Sequence, residues 1–231
     1  MLTPLKIAPI LLAILWGLGV YLFSARRSLK ELDRKSKRLG DRRIGDLVAT
    51  MARALDLEEI RVFVHETPII NGLASADGRV FITRGFLDKY HLGQVTAEEL
   101  STVVAHELGH LALGHTRKRL VDFAALNAFR VLVHVVIGRF VPFIGGYIAA
   151  FLTSLFTARL SQASEYEADR FAATLLMKSG IGTAPQKSLF QKLNALTGFG
   201  SQPPAWLASH PKPEARIAAI EALEAKWNTH V

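Results

Sequence analysis

The sequence predicts an α+β fold, mainly α, with a small antiparallel sheet inside a helical domain and a transmembrane helix in front of it. Three observations carry this prediction. Apolar residues recur at helical spacing along much of the chain, as at Ile44, Leu47, Val48, Met51 and Leu55. Two short runs rich in Val, Ile and Phe, at 60–64 and 80–83, break that pattern, with the turn signals Asn71-Gly72 and Asp77-Gly78 between them. Residues 7–23 form an uncharged, apolar run of 17 residues.

As a helix that run spans about 26 Å at 1.5 Å per residue, the short end of what crosses a bilayer. A cleaved signal peptide is the rival reading. No small-x-small cleavage site stands near Phe23-Ser24-Ala25, and the positive charge follows the run instead of preceding it. The chain has no Cys, which excludes a lipoprotein signal and cysteine-peptidase chemistry. Residues 26–43 carry nine Lys/Arg and three acids, +6 of the chain's net +8. Charge so local, without interleaved aromatics, argues against a nucleic-acid partner and for a lipid bilayer surface. The asymmetry places the amino terminus outside and the catalytic domain in the cytoplasm, at the inner cell membrane. Residues 1–25 are thus expected to be a membrane anchor, 26–43 a basic juxtamembrane linker with a polar helix at 28–39, and 44–231 the catalytic domain.

Within that domain a helix is expected over 41–57. A sheet of about three strands follows and ends near Arg84-Gly85, then a short helix over 85–90. Thr96 and Glu99 form a capping box that starts the next helix. An apolar helical pair is expected at about 121–157. Residues 121–137 carry Asp122, Asn127, Arg130 and His134, whereas 140–157 are nearly all apolar. The pair reads either as a membrane hairpin or as two helices that cover the domain or dip into the interface. The polar interruptions favour association without full crossing. Further helices are expected over 161–177, 189–196 and 212–227.

The capped helix carries His106-Glu107-Leu108-Gly109-His110. Residues four apart leave one helical face, so both imidazoles can converge on a zinc ion at roughly 2.0–2.1 Å. Glu107, beside the first ligand, can reach an attacking water without binding the metal. The third ligand must come from elsewhere. Glu165-Tyr166-Glu167-Ala168-Asp169 offers three carboxylates on a second helix. Glu165 and Asp169 share a face, with Glu167 about 200° round from Glu165. This assigns Glu165 to zinc and Asp169 to the far nitrogen of a histidine, His106. A solvated acidic face is the competing reading. A third histidine ligand in the eleven-residue pattern would fall on Thr116, so His115 misses that register by one. It is expected at the helix C-terminus, near the negative end of the dipole.

Four stretches together resemble the HtpX-type membrane zinc metallopeptidases, relatives of the CAAX prenyl endopeptidases and of mitochondrial and periplasmic quality-control peptidases. They are Asn71-Gly72-Leu73-Ala74 with Val80-Phe81-Ile82-Thr83-Arg84-Gly85, the His106–His110 motif, residues 161–169, and Ser209-His210-Pro211 with Arg216-Ile217. The resemblance implies a gluzincin fold with one Zn²⁺ per chain, Glu165 as third ligand, and endopeptidase action in protein quality control. HtpX itself is drawn with two N-terminal spans, and this chain has one. Glu107 is then the general base. His210 is expected either to donate to the oxyanion, to fill the open zinc position, or to play a structural role in its loop. Arg216 is expected to pair with an acid near the site or simply to lie on the last helix. Asn71, Gly72, Leu73 and Ala74 are expected to present a sheet edge to which an extended substrate adds as a strand. Unfolded or membrane proteins would be the substrates. The alternative function is a non-catalytic membrane adaptor or chaperone that keeps a zinc site. Glu107 argues against it, because a structural site needs no base.

Overall fold

The computed structural model describes residues 4–75, 77–115, 145–197 and 211–229. Its elements are α1 (Pro4–Lys35), β1 (Ser36–Arg38), α2 (Arg42–Ala54), β2 (Val62–His65), β3 (Gly72–Ala74), β4 (Val80–Thr83), α3 (Arg84–His91), α4 (Ala97–Ala112), α5 (Gly145–Lys178), α6 (Ala184–Thr197) and α7 (Pro213–Asn228). The chain divides into two compact units, residues 1–31 with 116–160, and residues 32–115 with 161–231. The first contains most of α1 and the start of α5. Among the described residues no helix is long and apolar enough to cross a membrane. The expected transmembrane helix at 1–25 therefore has no counterpart there. Instead, α1 runs for 32 residues through the expected boundary into the charged stretch that starts at Arg26.

The second unit is built on a four-stranded sheet of order β1-β2-β4-β3. The sheet is mixed, which corrects the expectation of an antiparallel one. β2 and β4 run parallel, with Val62 opposite Val80 and His65 opposite Thr83. β1 pairs antiparallel with β2, and β3 with β4. The physical reason is the hairpin: β3 and β4 are joined by a tight turn, so residues 66–71 must carry the chain past β4 to the far edge. In that turn Ser75 N–H donates to the Arg79 carbonyl at 2.9 Å and Gly78 sits at φ +83. β1 is a further correction. The expected polar helix at 28–39 ends at Lys35, and Ser36-Lys37-Arg38 becomes an edge strand. Its sequence has no β signal, but a short basic strand is a normal way to close a sheet edge.

β4 is buried on both faces, with Val80, Phe81 and Ile82 at 0% exposure. Such strands read as continuous apolar runs. Around this sheet pack Ile44, Val48 and Met51 of α2, Leu100, Val104 and Ala105 of α4, Leu175 and Leu176 of α5, Leu189 and Phe190 of α6, and Ile220 of α7. α2 starts where Asp41 accepts the Ile44 N–H at 3.0 Å. α4 starts at the full capping box: Glu99 accepts the Thr96 N–H at 2.9 Å and Thr96 Oγ1 the Glu99 N–H at 3.1 Å. Glu99 also accepts from Ser188 Oγ at 2.6 Å and meets Lys192 Nζ at 2.7 Å, which ties the start of α4 to α6.

Two glycines decide how β3 reaches α4. A Cβ on Gly85 would lie 2.0 Å from the Pro68 carbonyl oxygen. The loop at 66–71 therefore closes directly on α3, where Gly85 N–H donates to the Thr67 carbonyl at 3.0 Å. A Cβ on Gly72 would lie 2.4 Å from Val103 Cγ1. Asn71-Gly72 is thus not the expected turn. Gly72 opens β3, and it is glycine because the strand lies directly against α4.

Candidate metal centre

α4 brings His106 and His110 to one buried face, each 7% exposed. α5 lies close against that helix at its smallest residues. A Cβ on Gly109 would stand 3.0 Å from both Cα and O of Ala168. Close backbone approach at this point carries Glu165, one turn before Ala168, to the two imidazoles. His106 Nε2 lies 3.1 Å from His110 Nε2 and 3.2 Å from Glu165 Oε2, and His110 Nε2 lies 3.5 Å from Glu165 Oε1. Ligands at 2.0–2.1 Å in tetrahedral geometry stand about 3.3 Å apart. The two imidazole nitrogens are at that spacing, and the Glu165 carboxylate faces both, Oε2 toward His106 and Oε1 toward His110, so the three side chains converge as the ligands of one metal ion would. Among the described residues, this is the group of His and acid side chains whose ligand atoms converge, all within 4.8 Å.

Each histidine is held from behind. Asp169 Oδ1 stands 2.9 Å from His106 Nδ1, so the imidazole donates from Nδ1 and turns Nε2 toward Glu165. Asp169 is held in turn by Arg216, whose Nε–H donates to Oδ2 at 2.6 Å and whose Nη2 donates to Oδ1. Arg216 is 2% exposed, and its guanidinium lies 4.0 Å over the Phe190 ring. It both lies on the last helix and pairs with an acid at the site. Burial alone would raise the Asp169 carboxyl, but Arg216 and His106 outweigh it and hold the group at about 2. For His106, burial pushes downward, while Asp169 and Glu165 raise it to about 9 in the metal-free site. Behind His110 stands His115, with Nδ1 2.9 Å from His110 Nδ1 and Nε2 2.9 Å from Glu167 Oε2.

His115 and Glu167 are the residues that sequence reasoning placed elsewhere. α4 ends at Ala112 with Leu113 as its cap, and Gly114 at φ +68 turns the chain back. His115 therefore folds under His110 instead of continuing the helix. Gly114 was the available signal, since a glycine in the left-handed region ends helices.

Glu107, 8% exposed, lines a pocket with Asn71, Gly72 and Thr102. Ile70, Phe86, Val103, Leu189, Phe190 and Leu193 make its apolar wall, and Gln186 and Arg216 add polar groups. Asn71 is fixed by Thr83, whose Oγ1 accepts the Asn71 N–H at 3.0 Å and donates to its carbonyl at 2.9 Å. Leu73 and Ala74 continue β3, opposite Phe81 and Val80. β3 is last in the sheet order, and among the described residues its outer edge pairs with no strand. His210 and most of the apolar pair at 121–157 lie outside the described residues.

Residues 38–224 match peptidase family M48. The chain belongs to this family. The M48 chain is 28% identical to the metalloprotease YcaL of Escherichia coli (strain K12) over 186 residues, 80% of this chain and 70% of that protein. It is 26% identical to the metalloprotease LoiP of the same organism, over 67% of this chain and 60% of that protein. A protease HtpX homolog of Neisseria meningitidis is 25% identical over 76% of the chain and 71% of its own length. The likeness to HtpX-type peptidases thus holds for most of this M48 chain, which spans 60–71% of the length of these three relatives. Membership implies metalloprotease chemistry, and the buried His106, His110 and Glu165 group is its candidate metal site.

Proposed function

We propose that this protein is a membrane-attached zinc metalloendopeptidase of the gluzincin type that cleaves unfolded or membrane proteins in protein quality control. The observation that supports it best is the buried convergence of His106, His110 and Glu165, with Glu107 lining the adjoining pocket. Zinc held there would supply Lewis-acid activation of water and of the scissile carbonyl. Glu107 takes the proton of the attacking water and passes it to the leaving amine. An extended substrate adds to the outer edge of β3, which carries its backbone past Glu107. Gly72 lets β3 lie directly against α4 beside Glu107, and Asn71, whose backbone is held by Thr83, lines the same pocket. His210, which the sequence alone nominates, is the proposed donor to the oxyanion.

Attachment to a bilayer is supported by α1, where Leu12, Leu15, Trp16 and Phe23 are each at least 63% exposed. The +6 stretch at 26–43 follows, as expected where a segment meets a cytoplasmic membrane face. A C-terminal reporter fusion tests the side: a periplasm-active reporter would refute the cytoplasmic placement. Purified wild type should bind one zinc and cleave casein, while Glu107→Gln should keep zinc and lose cleavage. Bound zinc without cleavage in either protein would favour the adaptor reading.

A further inference from the structure

We infer that His115 and Glu167 form a directional hydrogen-bond relay that fixes the tautomer of His110 and so sets metal affinity from behind the site. The inference rests on the metal-centre reading above. Two Nδ1 atoms at 2.9 Å share one hydrogen, which must sit on one ring or the other. The far side of His115 decides which. Its Nε2 faces Glu167 Oε2 at 2.9 Å, and an ionised carboxylate only accepts. The His115 hydrogen is therefore on Nε2, and its Nδ1 presents a lone pair. His110 must then donate from Nδ1, which leaves its Nε2 lone pair aimed at His106 Nε2 and Glu165. Reversing the relay would put a hydrogen on His110 Nε2, where a ligand needs a lone pair. His115 is 2% exposed, so bulk water does not compete for these contacts. His115 is thus a positioning residue, and Glu167 holds it from a half-exposed place on α5.

The two histidines are held by different means. His106 leans on the Asp169–Arg216 ion pair, whereas His110 leans on a neutral ring that a carboxylate orients. Partners behind a ligand are typically worth 10–100-fold in metal affinity.

The test is Zn²⁺ affinity of the full chain by chelator competition, beside ¹H–¹⁵N spectra of the histidine rings. His115→Leu removes the acceptor and keeps bulk, so zinc should bind 10–100-fold more weakly. His115→Asn places a carbonyl oxygen near the former Nδ1 and should recover most of that loss. Ring spectra of the zinc-loaded wild type should show His110 protonated on Nδ1 and His115 on Nε2. Wild-type affinity in His115→Leu, or a His115 protonated on Nδ1, would overturn the relay. Should His115→Leu not fold, Glu167→Ala, at a half-exposed site, takes its place: weaker zinc supports the relay, and unchanged zinc overturns it. A wild type that binds no zinc overturns the metal centre itself, a result distinct from any of these.

Discussion

Gly109→Ala isolates how the metal centre is assembled. The new methyl would meet Ala168 Cα and O at 3.0 Å, both backbone atoms that cannot rotate away. Carbon contacts are comfortable at roughly 3.5–4.0 Å, so α4 and α5 must part by a few tenths of an ångström. Ala168 is three residues from Glu165, so the carboxylate moves with it. The 3.2 and 3.5 Å distances from the Glu165 carboxylate to the two histidines would lengthen. Global stability is a poor readout, because two effects oppose. Overpacking costs about 1–3 kcal/mol, while glycine to alanine inside a helix returns about 1 kcal/mol. Gly45→Ala on α2 supplies the control: nothing lies within 4 Å of its Cβ, so it keeps the helix gain without the clash. Zinc affinity is the decisive measurement, by chelator competition on both variants. Gly109→Ala should bind at least tenfold more weakly and Gly45→Ala like wild type. Equal affinity in all three would show that the Gly109–Ala168 approach does not place Glu165.

Glu107→Gln should reduce peptide cleavage by about 10²–10⁴-fold with zinc stoichiometry unchanged, read by casein hydrolysis and metal analysis. Arg216→Met leaves the Asp169 carboxylate buried without its guanidinium and should destabilise the fold by about 3–5 kcal/mol, measured by urea unfolding. Asp169, held at about 2 against an ordinary 3.8, contributes stability that is complete above about pH 4 and lost as pH falls toward 2. His106, raised to about 9 from 6.5, stabilises the metal-free chain below pH 6.5, and that contribution disappears as pH rises through 9. Zinc must displace this His106 proton, so binding near pH 7.5 should release about one proton. Calorimetry in buffers of different ionisation enthalpy would detect it, and buffer-independent heats would contradict it.

The parts of this protein that were legible in the sequence depend on local periodicity. The α4 cap, the His106/His110 face and the shared face of Glu165 and Asp169 follow from 3.6 residues per turn, and the folded helices place those side chains together. What escaped had no local signal. Ser36-Lys37-Arg38 is a strand only because Val62–His65 offers an edge to it. The parallel pairing of β2 with β4 is set by where the loop at 66–71 crosses, a tertiary fact. Gly72 resembled a turn residue, since sequence does not distinguish glycine chosen for positive φ from glycine chosen for close approach. The joining of Arg216 to Asp169 spans 47 residues of chain, so no window of the sequence contains both.

The two stretches that make up the second unit are separated by residues 116–160, and its last contact before the break is His115 with Glu167. Together with the Gly109–Ala168 approach, that contact closes the chain into a loop whose neck is the metal centre. Loop-closure entropy rises only as the logarithm of length, about 0.6 kcal/mol per doubling. The neck therefore constrains where this segment leaves and returns, but places almost no energetic limit on how long it is. A lineage could lengthen, shorten or exchange it without rebuilding the chemistry at its base.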